Sequence, residues 1–386
     1  MDHQQSKYNS KVIENGVYIF VLCGLLYVVF FNQSTIKSFF PALQQSPPQS
    51  TNTLHLKPKT YKDELDAALA KASGQNKTLI IAIVNRAYVE GYKPMLDIFL
   101  DGLWLGEDTQ GLKDHLLVGA MDQTSYRRCI FHGLHCYKLK TDGVDFVAEK
   151  LYMSDEFIKM MWRRTLFLGD VLKRGYNFIF TDTDVLWLRN PFPKLIVNGS
   201  IDLQISTDRF NGDQWSEQNL INTGFYMVRS NNRTIALFDS WYAQKNNSRG
   251  LKEQDVLANL MHQGLFRNLG LKVMFLDTVF FSGFCENSRD ARLVSTVHAN
   301  CCRSIVAKVA DLSTVMADWR RFKSLPANES STCRCISPLL YYAYEHMCKD
   351  PEFQMTGISG SCWSWNFCNA SLVQLIFSFM EQLRGP

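Results

Sequence analysis

The run of apolar and polar positions divides the chain into an uninterrupted apolar segment, a patternless stretch and a long alternation of strand-like and helix-like segments. Residues 17–31, VYIFVLCGLLYVVFF, carry no charge, and Gly16 with the mild NQSTI that follows extends them to 16–36, within the roughly 17–25 residues of a spanning helix. Residues 37–60 are rich in Pro, Gln, Ser and Thr without apolar periodicity, as a solvated stem would be. Beyond residue 60, KTLIIAIVN (77–85) predicts a buried strand closed by a polar residue, and PMLDIFLDGLWL (94–105) has helical spacing with Pro in its first turn. HLLVGAMD (115–122) predicts a second strand, a short helix over 124–132 follows, and LHCYKL (134–139) predicts a third strand. SDEFIKMMWRRTLFLGDVLKRG (154–175) predicts a helix with Ser154 as cap, Asp155 and Glu156 in its first turn, Lys173 and Arg174 in its last and Gly175 as its stop. It feeds a strand over 176–181. Strand, helix, strand repeated in this way predicts an α/β domain whose mainly parallel, Rossmann-like sheet has helices on both faces. Ligands of such sheets collect at the carboxyl ends of the strands, where Asn85, Asp122, Asp182 and Asp184 fall.

Composition adds the compartment. The expected division is a cytosolic tail (1–15), a transmembrane anchor (16–36), a stem (37–60), a catalytic domain (61–325) and a Cys-rich extension packed on that domain (326–386). A cleaved signal peptide is the competing reading of the apolar run, but no small-x-small site follows it. Lys7 and Lys11 before the run favour an inside amino terminus. Seven N-x-S/T sequons, at Asn32, Asn76, Asn198, Asn232, Asn246, Asn328 and Asn369, point to a chain that meets the glycosylation machinery. Eleven cysteines, with Cys23 inside the apolar run set aside, leave an even ten, compatible with five disulfides in an oxidising lumen. A structural zinc is the rival, but no C-x-x-C pair occurs. The net charge of +4 over 386 residues gives no basic face for nucleic acid.

The chemistry concentrates in FIFTDTDVLWLRNPF (178–192). Two carboxylates two apart in extended backbone face the same side, and two like charges on one side need a cation between them. A hard divalent ion, magnesium or manganese, meets that need. The bland alternative is a polar turn, although its flanks, FIF and VLWL, are unusually apolar for one. Phosphatases with a strand-end DxD form another alternative. They expect a Thr two residues after the second Asp, where this chain has Leu186, and they usually open their domain with the motif.

FTDTDVLWLRNPF resembles the DxD segment of nucleotide-sugar-dependent glycosyltransferases of the GT-A fold. The wider text is similar to the plant family 77 retaining glycosyltransferases, the nucleotide-diphospho-sugar transferase group. The matching stretches are IVNRAYVEGYKPML, VGAMDQTSYRRC, KMMWRRTLFLGDVLKRGYNFIFTDTDVLWLRNPF, INTGFYMVRSNNRTIALFDSWY, EQDVLANLM, FLDTVFFSGFCE and VHANCC, spread over roughly residues 78–312. DxD alone is weak, but DxD, NTG, QD and a late His in this order are specific.

The resemblance implies a UDP-sugar donor, a glycan or glycoprotein acceptor, Mn²⁺ (or Mg²⁺) and a luminal Golgi domain on a single-pass type II anchor. Asp184 becomes the direct metal ligand, Asp182 touches metal and ribose with Thr183 between them, and His298 completes the coordination. Lys308 faces the departing diphosphate, Asn85 and Asp122 the uracil and ribose, and Arg163 or Arg164 the sugar or the carboxylates. Asp255, Gln254 and Asp208 are the candidates for the anomeric carbon. Beside them an Asn222-Thr223-Gly224 turn and Gly283 would let backbone approach the sugar. Relatives transfer xylose or arabinose, so a pentose is the first expectation. A catalytically silent, membrane-tethered glycan-binding or scaffold protein on the same fold is the alternative from another class.

Overall fold

A computed structural model describes residues 61–141, 154–288 and 290–324. The expected anchor, stem and Cys-rich extension lie outside the described residues. Among the described residues no helix is long and apolar enough to cross a membrane.

The chain enters through α1 (Glu64–Ala72), whose cap Asp63 accepts from Asp66 N at 2.9 Å. There follow β1 (Thr78–Val84), α2 (Arg86–Val89), α3 (Met95–Leu105), β2 (Leu116–Ala120), α4 (Gln123–Phe131) and β3 (His135–Lys138). The middle of the chain gives α5 (Asp155–Lys173), β4 (Asn177–Thr181), β5 (Val185–Trp187), β6 (Leu203–Arg209), β7 (Leu220–Val228), α6 (Asn232–Ala243) and α7 (Glu253–His262). Short elements α8 (Leu265–Asn268), β8 (Val273–Phe275), β9 (Phe281–Gly283) and β10 (Thr296–His298) precede the long α9 (Ile305–Ser324). The best-signed helix, α5, forms within two residues of its sequence signals: Ser154 Oγ accepts from Phe157 N at 3.2 Å and Gly175 takes φ +79° beyond its end.

Seven strands form one sheet in the order β3-β2-β1-β4-β7-β6-β8. All run parallel except β7, which pairs antiparallel with both β4 and β6. The exception has a physical cause: β7 follows β6 through residues 210–219, too short a path for the crossover that a parallel neighbour requires. Both faces are buried. Leu79, Ile81, Phe178 and Phe180 pack under α1, α5, α6 and α7, while Ile80, Ala82 and Ile179 pack against α3 and α4. That two-sided burial explains why β1 and β4 read as continuous apolar runs.

A second sheet, β5-β10-β9, was not anticipated, since strands of three residues leave no period in the sequence. It shares a core with α3 and α9 through Leu186, Val297, Met95, Leu312 and Trp319. Two disulfides lie among the described residues: Cys129–Cys136 ties the end of α4 to β3, and Cys285–Cys301 ties the segment after β9 to that after β10. Cys302 is buried beside the second. Cys333, Cys335, Cys348, Cys362 and Cys368 lie outside the described residues, as does any pairing they make.

Candidate active site

The two aspartates do converge, though by a different geometry from the expected extended pair. Val185 N donates to Asp182 O at 3.2 Å, so Asp182-Thr183-Asp184 is a tight turn that carries the chain from β4 of the large sheet into β5 of the small one. Apolar flanks and a turn are compatible here because each flank belongs to a different buried sheet. Pairing then brings in the partners. β7 lies beside β4, and Asp182 N donates to Gly224 O at 2.7 Å. β10 lies antiparallel to β5 with His298 opposite Val185, and Ala299 N donates to Asp184 O at 3.0 Å.

Ligand atoms of Asp182, Asp184 and His298 lie within 4.8 Å of one another. Two carboxylates and an imidazole are a donor set that fits a divalent cation of the manganese or magnesium kind. His298 Nε2 is 3.4 Å from Asp184 Oδ1, and Lys308 Nζ on α9 reaches Asp184 Oδ2 at 2.5 Å. Burial alone would raise the Asp184 carboxyl, but Lys308 and His298 hold it well below the usual carboxylate range. Lys308 in turn is kept charged by Asp184 against its own burial. Asp182 stays open to the cavity yet is walled in by protein, and this desolvation, only partly offset by Arg164, raises its carboxyl.

Arg164, on α5, organises the floor. It donates to Asp182 Oδ1 at 2.9 Å, Thr223 Oγ1 at 3.3 Å and Glu253 Oε1 at 2.5 Å, with its guanidinium over the Phe180 ring. Glu253 and Asp182 outweigh burial and keep it charged. The neighbouring Arg163 does not line the cavity.

Asn222-Thr223-Gly224 is not a turn; it lies within β7. The register between β6 and β7 jumps from Ile205 opposite Tyr226 to Ser206 opposite Asn222, so β7 bulges over these residues. Ser206 Oγ closes the bulge by donating to Asn222 O and Phe225 O. The freed Thr223 N–H donates to Gln254 Oε1 at 3.0 Å. Asn222 Nδ2 and Asn300 Nδ2 both donate to Asp208 Oδ1, at 2.8 and 2.7 Å. The two glycines make room for side chains rather than for substrate: a Cβ on Gly224 would sit 2.3 Å from His298 Cε1, and one on Gly283 2.6 Å from Asn300 Oδ1.

These groups line one cavity of about 380 Å³ at the carboxyl ends of the strands. Asn85, Arg164, Asp182, Thr183, Asp184 and Asp208 face it, and so do Asn222, Thr223, Gly224, Gln254, His298 and Lys308. Asp122 does not. It caps α4, with Oδ1 accepting from Ser125 N at 2.8 Å and Oδ2 from Arg86 N at 2.6 Å. Asp255 is not among the residues that line the cavity either, but it stays at the rim, 3.9 Å from the Nζ of the lining Lys252 and near enough to Asp208 for the two charges to interact. Glu253, buried and tied to Arg164 and Thr223, takes the interior place instead. Sequence reasoning missed Glu253, since an acid in a helix's first turn reads as a dipole partner. It also missed Asn300, although the two-residue step from His298 in VHAN was a signal. Tyr88, Phe157, Met160 and Met161 add an apolar wall that no motif announced.

Comparison with known proteins agrees with this geometry. Residues 111–312 match the family described as nucleotide-diphospho-sugar transferases. An uncharacterized Arabidopsis thaliana protein is 57% identical over 272 residues, 69% of this chain and 80% of the relative. A second uncharacterized Arabidopsis thaliana protein is 40% identical over 68% of each chain. The beta-arabinofuranosyltransferase RAY1 of Arabidopsis thaliana is 26% identical over 63% of this chain and 46% of its own length. The phosphatase reading of the two aspartates falls with these matches. A strand-end acidic pair gripped by Arg164, Lys308 and His298, together with a family match over more than half of its length, makes this chain a member of the nucleotide-diphospho-sugar transferase family.

Proposed function

We propose that the protein is a metal-dependent retaining glycosyltransferase of the GT-A type. In this reading it moves a sugar, a pentose such as xylose or arabinose, from a UDP-sugar to a cell-wall glycan or glycoprotein. It works in the Golgi lumen, tethered through residues 16–36. The observation that carries the reading is the convergence of Asp182, Asp184 and His298 within 4.8 Å, with Lys308 alongside. The pentose rests on relatives named an arabinofuranosyltransferase and a UDP-D-xylose:L-fucose xylosyltransferase, both of Arabidopsis thaliana. A luminal setting is supported by the two disulfides and by Asn76, Asn198, Asn232 and Asn246, the sequon residues among those described, all of which are exposed.

Asp182, Asp184 and His298 would hold the cation, Mn²⁺ in this reading, which supplies electrophilic assistance to the departing diphosphate. Lys308 adds a second positive charge within reach of the same phosphates. Arg164 and Glu253 fix Asp182 and the β7 bulge in place, so these polar groups need no reorganisation when charge develops. Asp208 keeps Oδ2 for the sugar, because both amide donors share Oδ1. Gln254, its oxygen tied to Thr223, is oriented toward the same region. Asn85, held by Ala87 N at 3.1 Å, faces the nucleoside end with the apolar wall of Met160.

Transfer and hydrolysis with a panel of UDP-sugars, with and without Mn²⁺, test the reading beside Asp184→Ala. Activity is expected to fall about 10²–10³-fold in the variant. Equal turnover in both proteins would remove the mechanism, and glycan binding without metal-dependent UDP affinity would leave a silent binding protein in its place.

A further inference from the structure

Helix α3 has two faces of different character. Met95, Leu96, Phe99 and Leu103 are buried. Asp97, Asp101 and Trp104, three and four positions apart, line its other side. Trp104 is 72% exposed, and Tyr92, just ahead of the helix, is fully exposed. A single exposed aromatic needs no explanation, but two that border one groove offer flat apolar surfaces to a ligand in it. Here they border a groove of about 410 Å³, as large as the catalytic cavity, which Lys93 and Lys113 also line.

The position of the groove is informative. Tyr88, four residues before Tyr92, lines the catalytic cavity. Lys93 Nζ donates to Ser313 Oγ at 2.9 Å on α9, the helix that carries Lys308. The near end of the groove, at Tyr92 and Lys93, thus adjoins two elements that also reach the cavity, although the two share no lining residue, and the groove follows α3, about 16 Å at the usual helical rise, to Trp104. Its chemistry is equally specific. An exposed indole beside carboxylates and ammonium groups suits a ligand with apolar C–H faces and a rim of hydroxyls. The two lysines balance the two aspartates. Arg128, 2.6 Å from Asp97, adds one more positive charge beside His132 at 3.0 Å, so the surroundings carry an excess of about one cation, too small a field to select a polyanion.

We propose that this groove is an extended acceptor subsite: it holds a neutral oligosaccharide whose end reaches the catalytic cavity, with one sugar ring stacked on Trp104. The proposal rests on the glycosyltransferase reading and deepens it, from a glycan acceptor in general to a neutral chain several residues long.

The full chain, titrated calorimetrically with neutral arabino- and xylo-oligosaccharides of two to six residues and with oligogalacturonate, tests it. Binding of UDP with Mn²⁺ and donor hydrolysis are measured on the same samples. In at least one neutral series the longest members are expected to bind about tenfold more tightly than the disaccharide, a gain that Trp104→Ala abolishes. Donor hydrolysis in that variant stays within about twofold of the wild type, because Trp104 lies outside the cavity. The subsite is overturned if the length dependence survives in Trp104→Ala, if oligogalacturonate binds more tightly than both neutral series, or if no oligosaccharide binds while UDP and Mn²⁺ do. Loss of UDP and Mn²⁺ binding as well would overturn the proposed function itself.

Discussion

Asp122 and the Asp182/Asp184 pair stand at equivalent places, past the carboxyl ends of the parallel strands β2 and β4 on either side of β1, yet they have opposite fates. Asp122 is followed at once by a helix, and its two oxygens go to the N–H groups of Ser125 and Arg86. Asp182 and Asp184 are followed by a strand of another sheet, so no helix amide competes for them, and their partners are the side-chain cations Arg164 and Lys308. A strand-end acid is thus structural or chemical according to what the chain does in the next three residues. The acid alone does not decide.

The contrast can be broken at graded strengths. Arg164→Met leaves Glu253 buried beside no cation and is expected to cost about 3–5 kcal/mol in denaturant unfolding, with part of that recovered by Arg164→Met/Glu253→Met. If the single variant unfolds like the wild type, the floor of the site is not organised by this ion pair. Asp122→Ala should cost about 1–2 kcal/mol from the lost cap and leave UDP and Mn²⁺ affinity within a few-fold of the wild type. A selective loss of UDP affinity would instead give Asp122 the ligand role first read from the sequence. Gly224→Ala pushes a methyl into His298 and should weaken Mn²⁺ binding about tenfold in an electron-spin titration while the fold is kept.

The smallest effect concerns an acid with neither kind of partner. Asp318 on α9 is raised to about 6 by burial, against a weak pull from Arg321, and its Oδ2 accepts from no described residue. Its folded value lies above the unfolded one, so the native state is penalised as pH rises from about 4 through 6 and not below that range. Asp318→Asn should therefore gain about 1 kcal/mol at pH 7, after allowance for solvent screening, and nothing near pH 3. Thermal unfolding at the two pH values reads the difference directly.

What the sequence revealed follows from how local each feature is. Helix α5 was legible because its cap, charges and stop all lie within its own residues, and β1 and β4 because burial on both faces leaves an unbroken apolar run. The reversed strand β7 was not, since direction depends on the length of a loop and not on the strand's residues. Asn222-Thr223-Gly224 has the composition of a turn and is held in a strand by the pairing of Asn222 with Ser206 of β6 and by Asp182 N donating to Gly224 O. Among the site residues, Asp182 and Asp184 were found by their spacing at a strand end, and His298 through the family resemblance alone. Glu253 was hidden because its burial depends on Arg164, 89 positions away.

The small sheet carries one last implication, for biosynthesis. All seven strands of the large sheet have been made once the chain reaches Phe275, but His298 and Lys308 come later still. A nascent polypeptide can lay down its scaffold while the grip on a cation is still incomplete, so the acidic pair gains its histidine and lysine only after the sheet that presents it is complete.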